Sequence, residues 1–306
     1  MDARTLAKKA VEAADQITSA QQPRFFVEIG GLKEHALAVE SFQSDGLALS
    51  ACGAVTVDVL VRVAADIEQW IGKSARLRLV SRTGGDSMHA LTVAEVVGLP
   101  DSPEGSRMRL TLESPMSALR LQRHNRVFLE RSIEDIITAV MEGAGVPADS
   151  LDIALEETHP VRELVVQYEE SDYAFMQRLL AREGVFYTVK YEQKGSLFVF
   201  RDNSQSMQDA LGTVRLDYHR ESGQGGDHEK VIQVNACQQW LSKDVALRDY
   251  NSQTPQRLPH GQASCQGAGE GVMEYWGPGS EDGEDAERLA QIRAQALDAR
   301  RQSLRL

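Results

Sequence analysis

Several groups of residues in this sequence are of types that could do chemistry. His260 and Cys265 lie five residues apart in a polar stretch. An imidazole beside a thiol is the pairing of a cysteine nucleophile with its base. Such partners are brought together by the fold and not by adjacency in sequence, so a free thiol in a loop is the simpler reading. Gly267, Gly269 and Gly271 stand in G-A-G-E-G. A phosphate cradle needs a strand before, a helix after and a fuller glycine spacing, and a pliable loop explains these residues without one. Asp227-His228-Glu229 offers three metal-ligand types in a row, but adjacent residues rarely converge on one ion. His89, His124, His159 and His219 stand alone. Glu169, Glu170 and Asp172 have the look of paired acids, yet they surround Ser171, where negative charge suits the start of a helix. The sequence has no H-E-x-x-H, G-x-S-x-G or Walker pattern. It assigns no catalytic, cofactor-binding or metal-ligating residue and calls for no cofactor.

Composition narrows the function classes further. The 306 residues suffice for two or three domains. Apolar content of 42% and charged content of 25% are ordinary for a globular protein. The net charge is −12. The basic residues are scattered apart from a short cluster at Arg293–Arg305, which argues against a nucleic-acid groove. No run approaches the ~18 apolar residues of a membrane span, and the N-terminus lacks a signal-peptide core. The expectation is a product made in the cytoplasm, with no membrane insertion. Cys52, Cys237 and Cys265 are far apart and odd in number, so they read as free thiols.

The elements that must carry these residues follow from hydrophobic period. Residues 1–22 read as a helical leader: Leu6, Ala10, Ala13 and Ile17 share a face and Pro23 ends it. Residues 24–115 read as short strands at Arg24–Ile29, Ala36–Phe42, Val55–Val63, Ala75–Val80, Met88–Val97 and Arg107–Leu112. Turn signals separate them, a pattern of antiparallel barrels or sandwiches. In residues 116–205 the period changes. Ser132 and Asp135 open a helix whose apolar face is Ile133, Ile136, Ile137, Val140 and Met141. Residues 206–306 return to strands at Thr213–Tyr218, Lys230–Ala236 and Lys243–Arg248. A glycine-rich, irregular stretch at 261–280 follows, then a helix near 284–303.

The segment Leu164–Phe200 is consistent at every step. Leu164, Val165 and Val166 form a strand. Ser171 caps a helix on which Tyr173, Met176 and Leu180 recur, with Phe175 and Leu179 beside them. Gly184 sits where a left-handed C-cap is wanted. Val185, Tyr187 and Val189, a turn at Glu192–Gly195 and Ser196–Phe200 complete a hairpin. Within it, V-Q-Y-E-E-S-D-Y-A-F-M-Q-R-L-L-A-R-E-G-V-F-Y resembles the signature of VgrG proteins, the spikes of type VI secretion systems, and more weakly the tail hubs of contractile phages. The stretches L-A-V-E-S-F-Q-S-D-G-L-A-L-S, W-I-G-K-S-A-R-L-R-L, V-A-L-R-D-Y-N and M-E-Y-W-G-P-G-S-E-D-G-E-D-A-E-R-L-A resemble other parts of that family's hub. Met88-His89-Ala90 departs from the family's histidine-glycine pair, which bears on the turn there.

The resemblance implies a β-rich α+β fold: two β-barrel domains with an α+β region between them, in a trimeric, pseudo-sixfold hub. Its divisions would be the leader 1–22, a first barrel at 24–115, the α+β region at 116–205 and a second barrel with its C-terminal helix at 206–306. It implies a structural role, adapting a hexameric tube to a trimeric spike. The implied partners are two further copies of the chain, an Hcp-like tube protein, a spike or spike-tip protein and baseplate proteins. The particle containing them would carry the chain out of the cell. A hydrolase effector of the same machine, and the equivalent hub of a phage tail or extracellular contractile particle, are the competing readings. Full VgrG spikes continue past the hub, so this sequence reads as the hub portion of such a protein or as a hub whose spike is a separate chain.

Overall fold

The computed structural model describes residues 24–30, 32, 36–44, 49–61, 67–80, 86–192, 195–211, 217–218, 230–231, 233–277 and 279–305. The leader expected at 1–22, His219 and Asp227-His228-Glu229 lie outside these residues. The chain divides into two compact units, one built mainly from residues before Pro115 and one from Pro115 onward together with 49–52.

The first unit is a six-stranded antiparallel sheet of β1 (Arg24–Ile29), β2 (Leu37–Ser44), β3 (Ala54–Val61), β4 (Ser74–Val80), β5 (Asp86–Gly98) and β6 (Ser106–Glu113). The strand order is β1-β4-β5-β6-β3-β2. Alternation decides the faces. Val55, Val57 and Val59 of β3 and Ala75 and Leu77 of β4 point into one buried cluster with Val27, Leu110 and Leu112. Asp58 and Arg109 pair on the outer face at 2.7 Å. Bulges at Val39/Ser41 and Val93/Glu95 bend the sheet. The two outer strands curl toward each other, and Phe25 of β1 meets Phe42 of β2 edge to face at 4.6 Å. The result is a nearly closed, barrel-like sheet. His89 lies within β5 opposite Leu77, so Met88-His89-Ala90 is strand and not a turn.

The second unit begins with a two-stranded ribbon, β7 (Arg123–Arg131) against β9 (Arg162–Ser171). Helix α1 (Ile133–Gly143) opens with a full capping box between Ser132 and Asp135, worth about 1 kcal/mol. Helix α2 (Asp172–Glu183) is capped by Ser171, whose hydroxyl accepts from the Ala174 amide, and ends at Gly184 with φ 75°. A glycine is required there by the left-handed backbone. The hairpin β10 (Phe186–Glu192) and β11 (Gly195–Arg201) follows, with β8 (Leu151–Ile153) parallel to β11. Ile136, Ile137, Phe175, Met176, Leu180, Tyr187 and Phe200 form the core of this part.

The rest departs from the expectation in two places. Residues 204–211, which lie before the strand expected from Thr213, form helix α3: Asn203 accepts from the Gln205 amide and the Ser206 hydroxyl, and Met207 is buried beneath. The stretch 261–280, expected to be irregular, holds β16 (His260–Ser264) and β17 (Val272–Trp276) on either side of β15 (Asp244–Arg248). β17 runs parallel to β15, so its partner is distant in sequence and no hairpin signal marks it. Helix α4 (Gly283–Arg301) covers one face of this sheet through Leu289, Ala290, Ala294 and Leu297. The short pairs β12 (Asp217–Tyr218) with β13 (Lys230–Val231), and β14 (Asn235–Gln238) with β18 (Gln302–Arg305), complete the fold. Among the described residues these last strands form no closed second barrel. No helix among the described residues is long and apolar enough to cross a membrane.

Candidate functional site

The residues singled out from the sequence are mostly held apart. His260 is exposed at one end of β16 and Cys265 is buried just past the other end. At about 3.3 Å per residue their Cα atoms lie about 16 Å apart, on opposite faces of the strand. The Cys265 thiol points at the Ala294 carbonyl, 3.7 Å away, in the interface with α4. The glycine stretch is a strap across α4. Asp298 accepts from the amides of Gln266, at 2.7 Å, and Gly267, at 3.4 Å. Arg301 donates to the carbonyls of Ala268 and Ser242. The Gln266 and Gly267 amides are therefore already engaged with the protein's own carboxylate. That contact also holds the Asp298 carboxyl below the usual range. Among the described residues no three His, Cys, Asp or Glu side chains are grouped to hold a metal.

Of the acids near Ser171, Glu170 pairs with Arg178 at 2.5 Å on the surface. Asp172 does more than face a helix dipole. It is fully buried, and its carboxylate accepts from Gln167 at 2.8 Å, stands 2.9 Å from His124 and pairs with Arg126 at 3.2 Å.

The densest polar arrangement among the described residues joins side chains that are far apart in the sequence. Arg162, at the start of β9, is buried and forks onto both oxygens of Asp285, at 2.6 and 3.1 Å. It also reaches Glu183 at 3.1 Å. Arg288 bridges the same two carboxylates, at 2.7 Å to Glu183 and 3.0 Å to Asp285. His159 lies between acids: its Nδ1 is 3.5 Å from Glu183 and its Nε2 is 3.0 Å from Asp202. Asp202 accepts in addition from the amides of Glu156 and Glu157. Arg182 and the half-exposed Glu281 flank the set. The cations Arg162, Arg182, Arg288 and His159 thus face Glu183, Asp202, Glu281 and Asp285, and the cluster is neutral when His159 is protonated.

Burial opposes charge in this cluster; at Glu183, His159, Arg162, Asp202 and Asp285 the partners outweigh it, whereas at Arg182 burial prevails and lowers the pKa. Burial would raise the Glu183 carboxyl, but His159, Arg162 and Arg288 bring it down to about 2. Burial disfavours the His159 imidazolium, yet Glu183 and Asp202 hold its pKa above the ordinary value. Asp202 is held below its ordinary value chiefly by the Glu156 and Glu157 amides, with His159 adding to it, and Asp285 is held below its own by Arg162 and Arg288. The cluster is a clamp that fastens β9, α2, β11 and the segment 156–159 to α4.

The comparisons with known proteins agree with this picture. Residues 48–306 match the family described as phage tail baseplate hub (GPD). The chain is 27% identical over 242 residues to the type VI secretion system spike protein VgrG4b of Pseudomonas aeruginosa, covering 78% of this chain and 29% of that one. It is 26% identical over 241 residues to the actin cross-linking toxin VgrG1 of Vibrio cholerae, covering 76% and 22%. The chain thus spans less than a third of the length of these relatives. Among solved structures, a type VI secretion component of E. coli aligns with a TM-score of 0.57 at 20% identity, over 70% of this chain and 56% of that one. A tail protein of Neisseria meningitidis aligns at 0.56 and 10% identity, over 92% and 78%. These likenesses concern the fold. A curled antiparallel sheet, a following α+β unit held by buried ion pairs, and a family match running from residue 48 to the last residue make the assignment: the chain belongs to the phage tail baseplate hub (GPD) family, the hub and spike proteins of contractile injection machines.

Proposed function

We propose that this chain is the hub portion of a spike in a contractile injection machine of the type VI secretion kind, where it adapts a hexameric tube to a trimeric spike. The observation that carries the reading is the joint match: one family assignment spans both most of the barrel-like unit and the whole α+β unit. Three copies, each giving one barrel from 24–115 and a related domain from 206–306, would present six similar shapes to a tube ring and threefold symmetry to a spike. The leader 1–22 and the α+β region 116–205 complete that division. The partners are two further copies, an Hcp-like tube protein, a spike or tip protein and baseplate proteins. The chain is made in the cytoplasm and leaves it with the particle.

Its work is mechanical and breaks no covalent bond. The toxin activity named for the Vibrio relative belongs to a protein of which this chain matches 22%. We expect the purified chain to hydrolyse neither peptidoglycan nor other cell-wall polymer, and His260→Ala and Cys265→Ser to change nothing in that assay. A reproducible activity lost in either variant contradicts the structural reading.

Assembly is the sharper test. In a full spike, downstream chain winds three copies together and keeps the hub parts at high effective concentration. These 306 residues purified alone should be a monomer–trimer mixture, driven to trimer by tube or spike protein through mass action. Light scattering over a concentration series, with and without each partner, reads this directly. A monomer or closed dimer that persists with both partners present sinks the hub reading.

A further inference from the structure

The β7–β9 ribbon has two apolar faces where its own core needs one. The inner face carries Val165 and Phe128, which stacks on Phe175 at 5.7 Å. The outer face carries Val127, Leu129, Leu164, Val166 and Tyr168, each 41–68% exposed. Val127 is directly opposite Val166 and Leu129 opposite Leu164, so these side chains form one contiguous patch. A standard protein interface buries about 800 Å² per partner. A little over half of that, about 450 Å², is apolar. Five side chains of this size at these exposures supply apolar area of that order, the upper end of what a lone monomer carries in one place. The sheet has two strands only, so the outer edges of β7 and β9 also lack ladder partners among the described residues.

A second open surface lies on the same unit. With α4 covering one face of the β16-β15-β17 sheet, the other face presents Val272 and Trp276, 51% and 63% exposed. Trp276 is opposite Arg248, whose guanidinium lies 5.8 Å from its ring. Exposed Tyr250 follows the end of β15. A ring of identical subunits needs two different surfaces on each copy, whereas a twofold pair needs one self-complementary surface. These two faces of the described residues differ from each other, as a ring requires.

We propose that the outer face of the β7–β9 ribbon is the surface through which one copy of this chain binds the next, with the Trp276 face of the neighbouring copy as its counterpart. The assignment rests on the hub reading above and adds to it which residues make the subunit contact. The test uses the full chain in three forms: wild type, Leu164→Glu on the ribbon and Trp276→Ser on the other face. Both positions are exposed, and circular dichroism and thermal melting verify that each variant is folded. Leu164→Ser replaces the charged variant if that one fails to fold. Under conditions where the wild type is oligomeric by light scattering, each variant should associate on the order of 100-fold more weakly, as expected for loss of a central interface anchor. An equimolar mixture of the two variants should form a one-to-one complex that grows no further, since each retains the surface the other lacks. Wild-type assembly retained in either ribbon variant overturns the assignment and leaves the hub reading standing. Two variants that both dissociate but do not combine overturn the pairing of the two faces. A wild type that stays monomeric with tube and spike protein present overturns the assignment together with the hub reading.

Discussion

Replacing Arg162 by Met should lower the unfolding free energy of the second unit by about 3–5 kcal/mol, the cost of removing one partner from a buried ion-pair set. The guanidinium fills the space between Asp285 and Glu183 and contacts both. Its loss leaves two buried carboxylates sharing Arg288 and His159. The same cluster sets the pH dependence. The pKa of His159 is raised in the fold, so its contribution is complete below its ordinary 6.5 and is lost as the pH rises through the raised value. Glu183 is lowered, so its contribution is complete above its ordinary 4.5 and is lost as the pH falls toward about 2. Stability should therefore be greatest between about pH 4.5 and 6.5 and decline on the alkaline side through His159. Denaturant melts of wild type and His159→Gln at intervals from pH 5 to 9 read this. The variant should be less stable at pH 6 and lose the alkaline slope. An unchanged slope in His159→Gln would show that another group carries the pH response.

Gly261→Ala should be about as damaging, at about 3 kcal/mol or more. Helix α4 crosses β16 so closely that a Cβ on Gly261 would lie 2.1 Å from the Ala286 carbonyl oxygen and 2.4 Å from the Glu287 amide nitrogen. Both are backbone atoms, so relief requires moving the whole helix off the sheet. Moving it disturbs Asp285 and Arg288, the clamp residues that flank Ala286 and Glu287 in the chain. Gly267→Ala is the control. Its Cβ would meet Arg301 Cδ at 2.2 Å, part of a side chain that can swing aside, so the cost should be smaller. Equal melting temperatures for the two variants would argue against the close helix–strand approach.

The sequence made the local features legible because each is set by neighbours in the chain. Ser132, Ser171 and Gly184 announced α1 and α2 by their capping chemistry, and alternation in residues 54–61 and 74–80 announced β3 and β4. What it hid depends on contacts between distant segments. β17 pairs in parallel with β15 across more than twenty residues, and Gly261 and Gly267 make room for α4 and Arg301, and Gly269 for the Leu241 carbonyl, not for flexibility alone. His159 was isolated in sequence because its partners are at 183 and 202. One sign of the clamp was present all the same. Glu183 is the last residue of α2, where the helix dipole disfavours a carboxylate, so an acid there calls for cations from elsewhere in the fold.

The hub assignment is tested most directly by imaging the chain on its tube. Electron microscopy of the chain mixed with a hexameric tube protein and viewed along the tube axis should show three copies capping the tube end, with six similar lobes facing the ring and threefold density on the far side. Tube ends that remain bare at saturating chain, or that bind a single copy or a twofold pair, would contradict it.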